Sequence, residues 1–166
     1  KMCSGKTTIA NLLKENDSRF KIYSFGKKIK IIANELFDMD LENKNRSLMI
    51  DIGSKMREID ENVWVNYVLK ETKDEEYCII DDLRFQNELD LLEQNGWCII
   101  CLNLSEELQI KRIKELYSNN FEDHIKNMNH ISEENKLVFK KEPIIVDSSQ
   151  KLSDIIDYLL NKIFDI

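Results

Sequence analysis

Ser4-Gly5-Lys6-Thr7-Thr8 stands directly before a stretch whose apolar positions, Ile9, Leu12 and Leu13, fall at helical spacing. A Gly-Lys-Thr run that opens a helix is the second half of the phosphate-loop pattern G-x-x-x-x-G-K-[ST]. Such a loop wraps backbone N–H groups around a phosphate, and the helix N-terminus adds partial positive charge. In that chemistry Ser4 and Gly5 bring the backbone close to the anion, and Lys6 reaches the β- and γ-phosphates of ATP. The Thr7 hydroxyl suits Mg²⁺, and Thr8 can bond the α-phosphate. The opening glycine of the pattern would fall one position before Lys1, and a strand is expected ahead of it. Without that strand its neighbours in the sheet should expose apolar surface. Gly-Lys-Thr-Thr also occurs at ordinary capped helix starts. Two features favour a nucleotide: the run opens a helix, and a later apolar strand ends in acid.

That later strand is Tyr77-Cys78-Ile79-Ile80-Asp81-Asp82. A carboxylate at the end of a buried strand can hold Mg²⁺ directly or through water, so Asp81 and Asp82 are metal candidates. Arg84 follows at once, and a guanidinium offers a phosphate a planar fork of donors. Lys6, Asp81 and Arg84 are therefore the candidate catalytic set, with Arg84 on the acceptor phosphate or the transferred group. Two acids after a strand also make a turn or a helix cap, and an arginine there also makes a surface ion pair. Trp64, amid Val63, Val65, Val68 and Leu69, reads first as a packed side chain, with stacking on an acceptor base as the rival. His124 and His130 bracket a polar stretch, with no partner at zinc-ligand spacing.

The 166 residues, 42% of them hydrophobic, suit one domain with one core. Acids outnumber Lys plus Arg by 31 to 24, a net charge of −7, which argues against polymeric nucleic acid as the main partner. A local basic pocket for a small anion remains open. No apolar run reaches the roughly 18 residues of a membrane span. Cys98 and Cys101 form a C-x-x-C inside a strand-like run, where residues three apart face opposite ways. Core packing is the expectation for them, and a reduced cytoplasmic protein the expectation for the chain.

The elements that must position these residues alternate. A helix is expected from Gly5 to Glu15, a strand over Phe20–Phe25, and an amphipathic helix on Ile29, Ile32, Ala33, Leu36 and Phe37. Two further helices fall at Asn45–Arg57 and Asn62–Glu71. Buried strands are expected at Tyr77–Asp82 and Trp97–Leu104, with a helix at Gln86–Gln94 between them, closed by Gly96. A helix starting at Ser105, a short strand in Glu142–Asp147 and a helix over Leu152–Ile163 complete the pattern. Residues 117–131 are polar and weakly periodic, and read as a mobile loop. Such alternation predicts an α/β fold with a parallel sheet.

Several phrases, in order along nearly the whole chain, resemble the deoxynucleoside monophosphate kinases of phages and large DNA viruses, within the nucleoside monophosphate kinase group. They are Phe25-Gly26-Lys27-Lys28-Ile29-Lys30, Ile52-Gly53 through Arg57, Asp60 through Trp64-Val65, Asp81-Asp82-Leu83-Arg84-Phe85-Gln86-Asn87-Glu88, and His130-Ile131-Ser132-Glu133. Lys27, Lys28 and Gln86 depart from the family's usual choices, which commonly include proline at the last two positions. The resemblance implies a three-layer P-loop NTPase fold, a parallel sheet with helices on both faces, its first strand missing here. It implies one kinase domain over 1–166, an acceptor-side helical insertion at 27–72 and a lid at 117–131. It places Lys30, Arg57, Trp64, Arg84 and Glu88 on the acceptor side and Arg112 over the donor adenine. From residue types alone, Lys27, Lys28 and Lys30 read as a solvated face, and Arg57 as a neighbour of Asp60 or Glu61. The implied reaction moves the γ-phosphoryl of ATP, with Mg²⁺, onto a deoxynucleoside monophosphate; a homodimer stays open. Alternatives are a P-loop kinase for an acceptor such as phosphomevalonate or dephospho-coenzyme A, and a catalytically silent nucleotide-binding protein.

Overall fold

The computed structural model describes residues 3–42, 45–117, 121–126 and 137–164. Along the chain run α1 (Lys6–Asn16), β1 (Lys21–Tyr23), α2 (Phe25–Phe37), α3 (Arg46–Ile59), α4 (Val63–Glu71) and β2 (Cys78–Ile80). They are followed by α5 (Gln86–Gln94), β3 (Ile100–Asn103), α6 (Glu106–Leu116), α7 (Phe121–Lys126), β4 (Ile144–Asp147) and α8 (Leu152–Phe164). The chain divides into two compact units, one made of Lys1–Ser18 with Arg84–Ile166, the other of Arg19–Leu83. The proposed acceptor-side insertion, 27–72, lies within the second.

In the Arg19–Leu83 unit, β1 pairs in parallel with β2, Lys21 opposite Cys78 and Tyr23 opposite Ile80. The expected strand over Phe20–Phe25 is shorter because Ser24 turns the chain into α2, whose first residue is Phe25. Phe25, Ile29 and Ala33, each four residues apart, form the buried stripe of α2. Ile52 of α3 and Trp64, Val65 and Val68 of α4 complete this core. Asn45 caps α3, its side chain accepting the Leu48 N–H at 3.1 Å. Lys28 of α2 lies over the ring of Tyr67 at 5.7 Å, so this lysine is not simply solvated.

In the other unit, β3 pairs in parallel with β4, from Ile100–Ile144 to Asn103–Asp147. Leu13, Leu89, Ile113, Ile155 and Leu159, drawn from α1, α5, α6 and α8, are its fully buried large side chains. Burial of each contributes roughly 1.5–3 kcal/mol. Helix α5 ends as its sequence requires: Gly96 is left-handed at φ 80, its N–H bonds Glu93 O at 3.2 Å, and the Trp97 N–H bonds Leu92 O at 3.0 Å.

Three expectations need correction. The strands are half-buried rather than buried, because among the described residues each belongs to a two-stranded pair. Cys98 is exposed rather than packed, and Cys3, Cys78 and Cys101 are half-buried; all four are free thiols. The polar stretch is not all loop, since α7 occupies Phe121–Lys126 and Lys114 approaches the Phe121 ring at 5.8 Å. Residues 118–120 and 127–131 of the expected lid, with His130-Ile131-Ser132-Glu133, lie outside the described residues. Among the described residues no helix is long and apolar enough to cross a membrane.

Candidate functional site

Gly5 is the N-cap of α1 and sits in the left-handed region at φ 91. A Cβ there would meet Ser148 Oγ at 3.7 Å and Arg112 Nη1 at 4.0 Å, ordinary contacts, so backbone conformation rather than space calls for glycine. Cys3 is also left-handed, at φ 56, which costs a non-glycine residue on the order of 1 kcal/mol. Ser4 between them is buried at 1% exposure. Lys6 Nζ donates to Ser4 Oγ at 3.4 Å, and Thr7 and Thr8 are exposed on the first turn of α1. No acid occupies that first turn, so the positive end of the helix is left uncompensated by its own side chains.

Two residues distant in sequence hold this loop. Arg112 of α6 donates through Nη1 to Ser148 Oγ at 2.8 Å and to the Cys3 carbonyl at 3.4 Å, and through Nη2 to the Ser148 carbonyl at 2.6 Å. The Ser148 hydroxyl in turn donates to the Ser4 carbonyl at 2.7 Å. These bonds use the edge of the guanidinium, whereas stacking on a base would use its face. Ser148 is itself fixed, since its N–H continues the β3–β4 ladder to Asn103 O at 2.9 Å. A turn follows it, in which Asp147 Oδ1 accepts from the Ser149 hydroxyl at 2.7 Å and the Ser149 N–H at 2.9 Å. Those two donors, the hydroxyl first, hold the Asp147 carboxyl below its ordinary value. Sequence reasoning missed Ser148; the polar run Asp147-Ser148-Ser149 at the C-terminal end of a strand was its available signal.

At the start of α5, Arg84 is exposed, while Glu88 is 2% exposed. Glu88 Oε2 accepts the N–H groups of Arg84 and Phe85, each at 3.1 Å. Glu88, expected on the acceptor side, is thus a buried carboxylate that anchors the backbone carrying Arg84. Gln86, the departure from the resembled phrase, also has a partner: its side-chain amide exchanges two hydrogen bonds with the Val138 backbone, at 2.9 and 2.8 Å. Glu93, 3% exposed and unforeseen, accepts the backbone N–H of Lys140 at 3.2 Å and of Lys141 at 3.1 Å.

In the Arg19–Leu83 unit, Asp82 shows the turn-and-cap alternative. Its Oδ1 accepts the Phe25 N–H at 2.9 Å, and its Oδ2 accepts the Gly26 N–H at 2.8 Å and the Ser24 hydroxyl at 2.9 Å. A carboxylate there satisfies the free amides of α2 and complements its dipole. Gly26 makes room for it, since a Cβ at that position would lie 3.3 Å from Asp82 Oδ2. Both oxygens of Asp82 are thereby engaged, and Asp81, the other metal candidate, is half-buried just beyond β2. Trp64 shows the packing alternative: it is 2% exposed, and its Nε1 donates to the Gly53 carbonyl at 3.1 Å. A ring so covered fits the packing role that its apolar neighbours suggest. Arg57 donates to the same Gly53 carbonyl at 3.3 Å and is half-exposed, and Lys30 is half-exposed on α2. Among the described residues no group of three or more His, Cys, Asp or Glu could hold a metal.

Comparison with solved structures places the fold. A gluconokinase from Sinorhizobium meliloti 1021 superposes with a TM-score of 0.53, covering 97% of this chain and 90% of that one at 14% identity. The shared architecture is the P-loop kinase fold, α/β with parallel strands, which form two two-stranded pairs among the described residues. No curated protein matched the chain. The family described as AAA domain matches residues 1–130, which take in the loop, the Asp81–Glu88 phrase and Arg112. With most of its length matched, the chain belongs to that AAA-domain family.

Proposed function

We propose that the protein is a phosphotransferase that moves the γ-phosphoryl of ATP onto a deoxynucleoside monophosphate. The observation that carries this reading is the Ser4–Thr8 loop, with its left-handed glycine at a helix N-terminus and a lysine one residue on. The ordered phrases that resemble deoxynucleoside monophosphate kinases support the choice of acceptor.

Transfer of this kind asks the protein for positive charge around two phosphate groups and for exclusion of water, with little covalent help. Lys6 and the N–H groups of the loop bind the β- and γ-phosphates. Arg84 holds the acceptor phosphate or the transferred group, and Arg57 and Lys30 add positive charge on the acceptor side. An acceptor phosphate oxygen bonds to the γ-phosphorus as the bond to the β–γ bridging oxygen breaks, and ADP leaves. Glu88 and Trp64 act as supports, one fixing the backbone at Arg84 and the other fixing Gly53 beside Arg57. Arg112 braces the loop and offers its face to the adenine. The Thr7 hydroxyl and the Asp81 carboxylate are hard oxygen donors of the kind Mg²⁺ accepts, and few protein ligands suffice because substrate phosphates supply the rest. Mg²⁺ bound to the substrate phosphates would neutralise their charge.

The test is ADP release from ATP and Mg²⁺ with dGMP, dTMP, phosphomevalonate, dephospho-coenzyme A and gluconate side by side. Gluconate belongs in the panel because the structural neighbour is titled a gluconokinase. ADP that appears only with a deoxynucleoside monophosphate is the expected result. Release with gluconate or another acceptor alone would reassign the substrate, and tight ATP binding with no acceptor-dependent ADP would mean a silent nucleotide binder.

A further inference from the structure

We propose that Ser148, working with Arg112, is a positioning residue that fixes the direction of the anion-binding N–H groups of the phosphate loop. This rests on the nucleotide reading above and goes beyond it by naming what holds the loop in shape.

The argument is one of peptide geometry. The described residues contain no cis peptide, so each C=O and the N–H that follows it point opposite ways across a flat unit. Arg112 Nη1 bonds the Cys3 carbonyl at 3.4 Å, and the Ser148 hydroxyl bonds the Ser4 carbonyl at 2.7 Å. Pinning those two carbonyls turns the N–H groups of Ser4 and Gly5 the other way, away from Arg112 and Ser148. A phosphate needs that orientation, because a carbonyl swung into its place would repel it. The pin is needed because both flanking residues, Cys3 and Gly5, are left-handed, and nothing in a glycine's own sterics holds its peptide plane.

The brace is itself rigid. Ser148 is 3% exposed, and its hydroxyl accepts from Arg112 at 2.8 Å while donating to Ser4. Its carbonyl takes the second guanidinium bond at 2.6 Å, and its N–H is held by Asn103 at 2.9 Å. Every polar atom of the residue is thereby engaged. The single positive charge of Arg112 reaches the loop through the same network, on the side of the carbonyls.

The experiment measures the affinity of the full chain for ATP·Mg²⁺ and for tripolyphosphate, which has no base to stack, beside the kinetics of the acceptor. Ser148→Ala should lower both affinities about fivefold to tenfold and raise the KM for ATP, while the KM for the acceptor stays put. General loosening of the fold would move both KM values. If Ser148→Ala does not fold, Arg112→Lys keeps the charge but loses the fork, and should weaken tripolyphosphate binding in the same direction. A folded variant whose tripolyphosphate affinity matches the wild type overturns the brace and leaves the nucleotide reading standing. A wild type that binds neither ligand overturns both.

Discussion

The Ser4–Thr8 loop and the helices α2 to α4 use polar side chains in opposite ways. At the loop the long-range bonds run from side chains to backbone carbonyls, Cys3 by Arg112 and Ser4 by Ser148, so the N–H groups of the same peptides point the other way. In the helical unit three chemically promising side chains are engaged on backbone groups of their own unit. Asp82 takes up the amides of Phe25 and Gly26, and Trp64 and Arg57 meet on one carbonyl, that of Gly53. A region that binds through its backbone must have that backbone held from outside. The helical unit spends its own polar groups on its own backbone, at the start of α2 and within α3. Residue type alone does not separate the two uses; the partner atom does.

The largest effect should come from Trp64→Ala, which empties a buried site and removes one of the two side-chain bonds to the Gly53 carbonyl. A stability loss of about 3–5 kcal/mol is expected in denaturant melts. Near-normal stability combined with lost acceptor binding would move Trp64 out of the packing group and onto the substrate. Lys6→Ala should show the reverse pattern, with melts close to wild type and turnover reduced about 100-fold or more, because the charge acts on the transferring phosphoryl. Near-normal turnover there would dissolve the contrast between the regions.

A smaller effect is expected for Arg84→Lys, which keeps the charge and loses the fork. The acceptor's kcat/KM should drop about tenfold, with ATP affinity unchanged by titration. Equal damage to ATP binding would place this exposed arginine on the donor. The smallest effect is acid-dependent. The Asp147 carboxyl is held low by Ser149, so its contribution to the turn after β4 is fully present above the ordinary carboxylate value of 3.8. It is lost only as pH falls through the depressed value. Asp147→Asn should therefore shrink the acid-side loss of stability, and a pH profile identical to wild type would show that the turn does not need the charge.

Local patterns were readable in this sequence, and long-range pairings were not. Ser105 before Leu108 and Gly96 after Gln94 mark helix ends through bonds that close within a few residues, and spacing reveals them. The phosphate loop was legible for the same reason. Strand ends were harder, because the apolar run through Phe25 passes from β1 into α2 without a change in composition. Helix α7 was hidden because its few apolar residues sit among polar ones. Asp82 drew attention as a metal ligand because its partners, Ser24 to Gly26, lie 56 to 58 residues away. Ser148 drew none, since the polar run Asp147-Ser148-Ser149 marks a strand end without naming a partner 144 residues earlier.

That last separation bears on how the protein is made. Synthesis delivers Cys3 to Thr8 early, next the continuous stretch Arg19–Leu83, and only much later Ser148. The stretch Arg19–Leu83 has its own strand pair and core, so it can fold while the remaining chain is still on the ribosome. The loop cannot be completed at that stage, because the hydroxyl that pins the Ser4 carbonyl has not yet been translated. A nascent chain therefore carries Ser4 to Thr8 unbraced until Ser148, 144 residues beyond Ser4, has been added. The brace closes only when β4 pairs with β3 and brings Ser148 to Arg112.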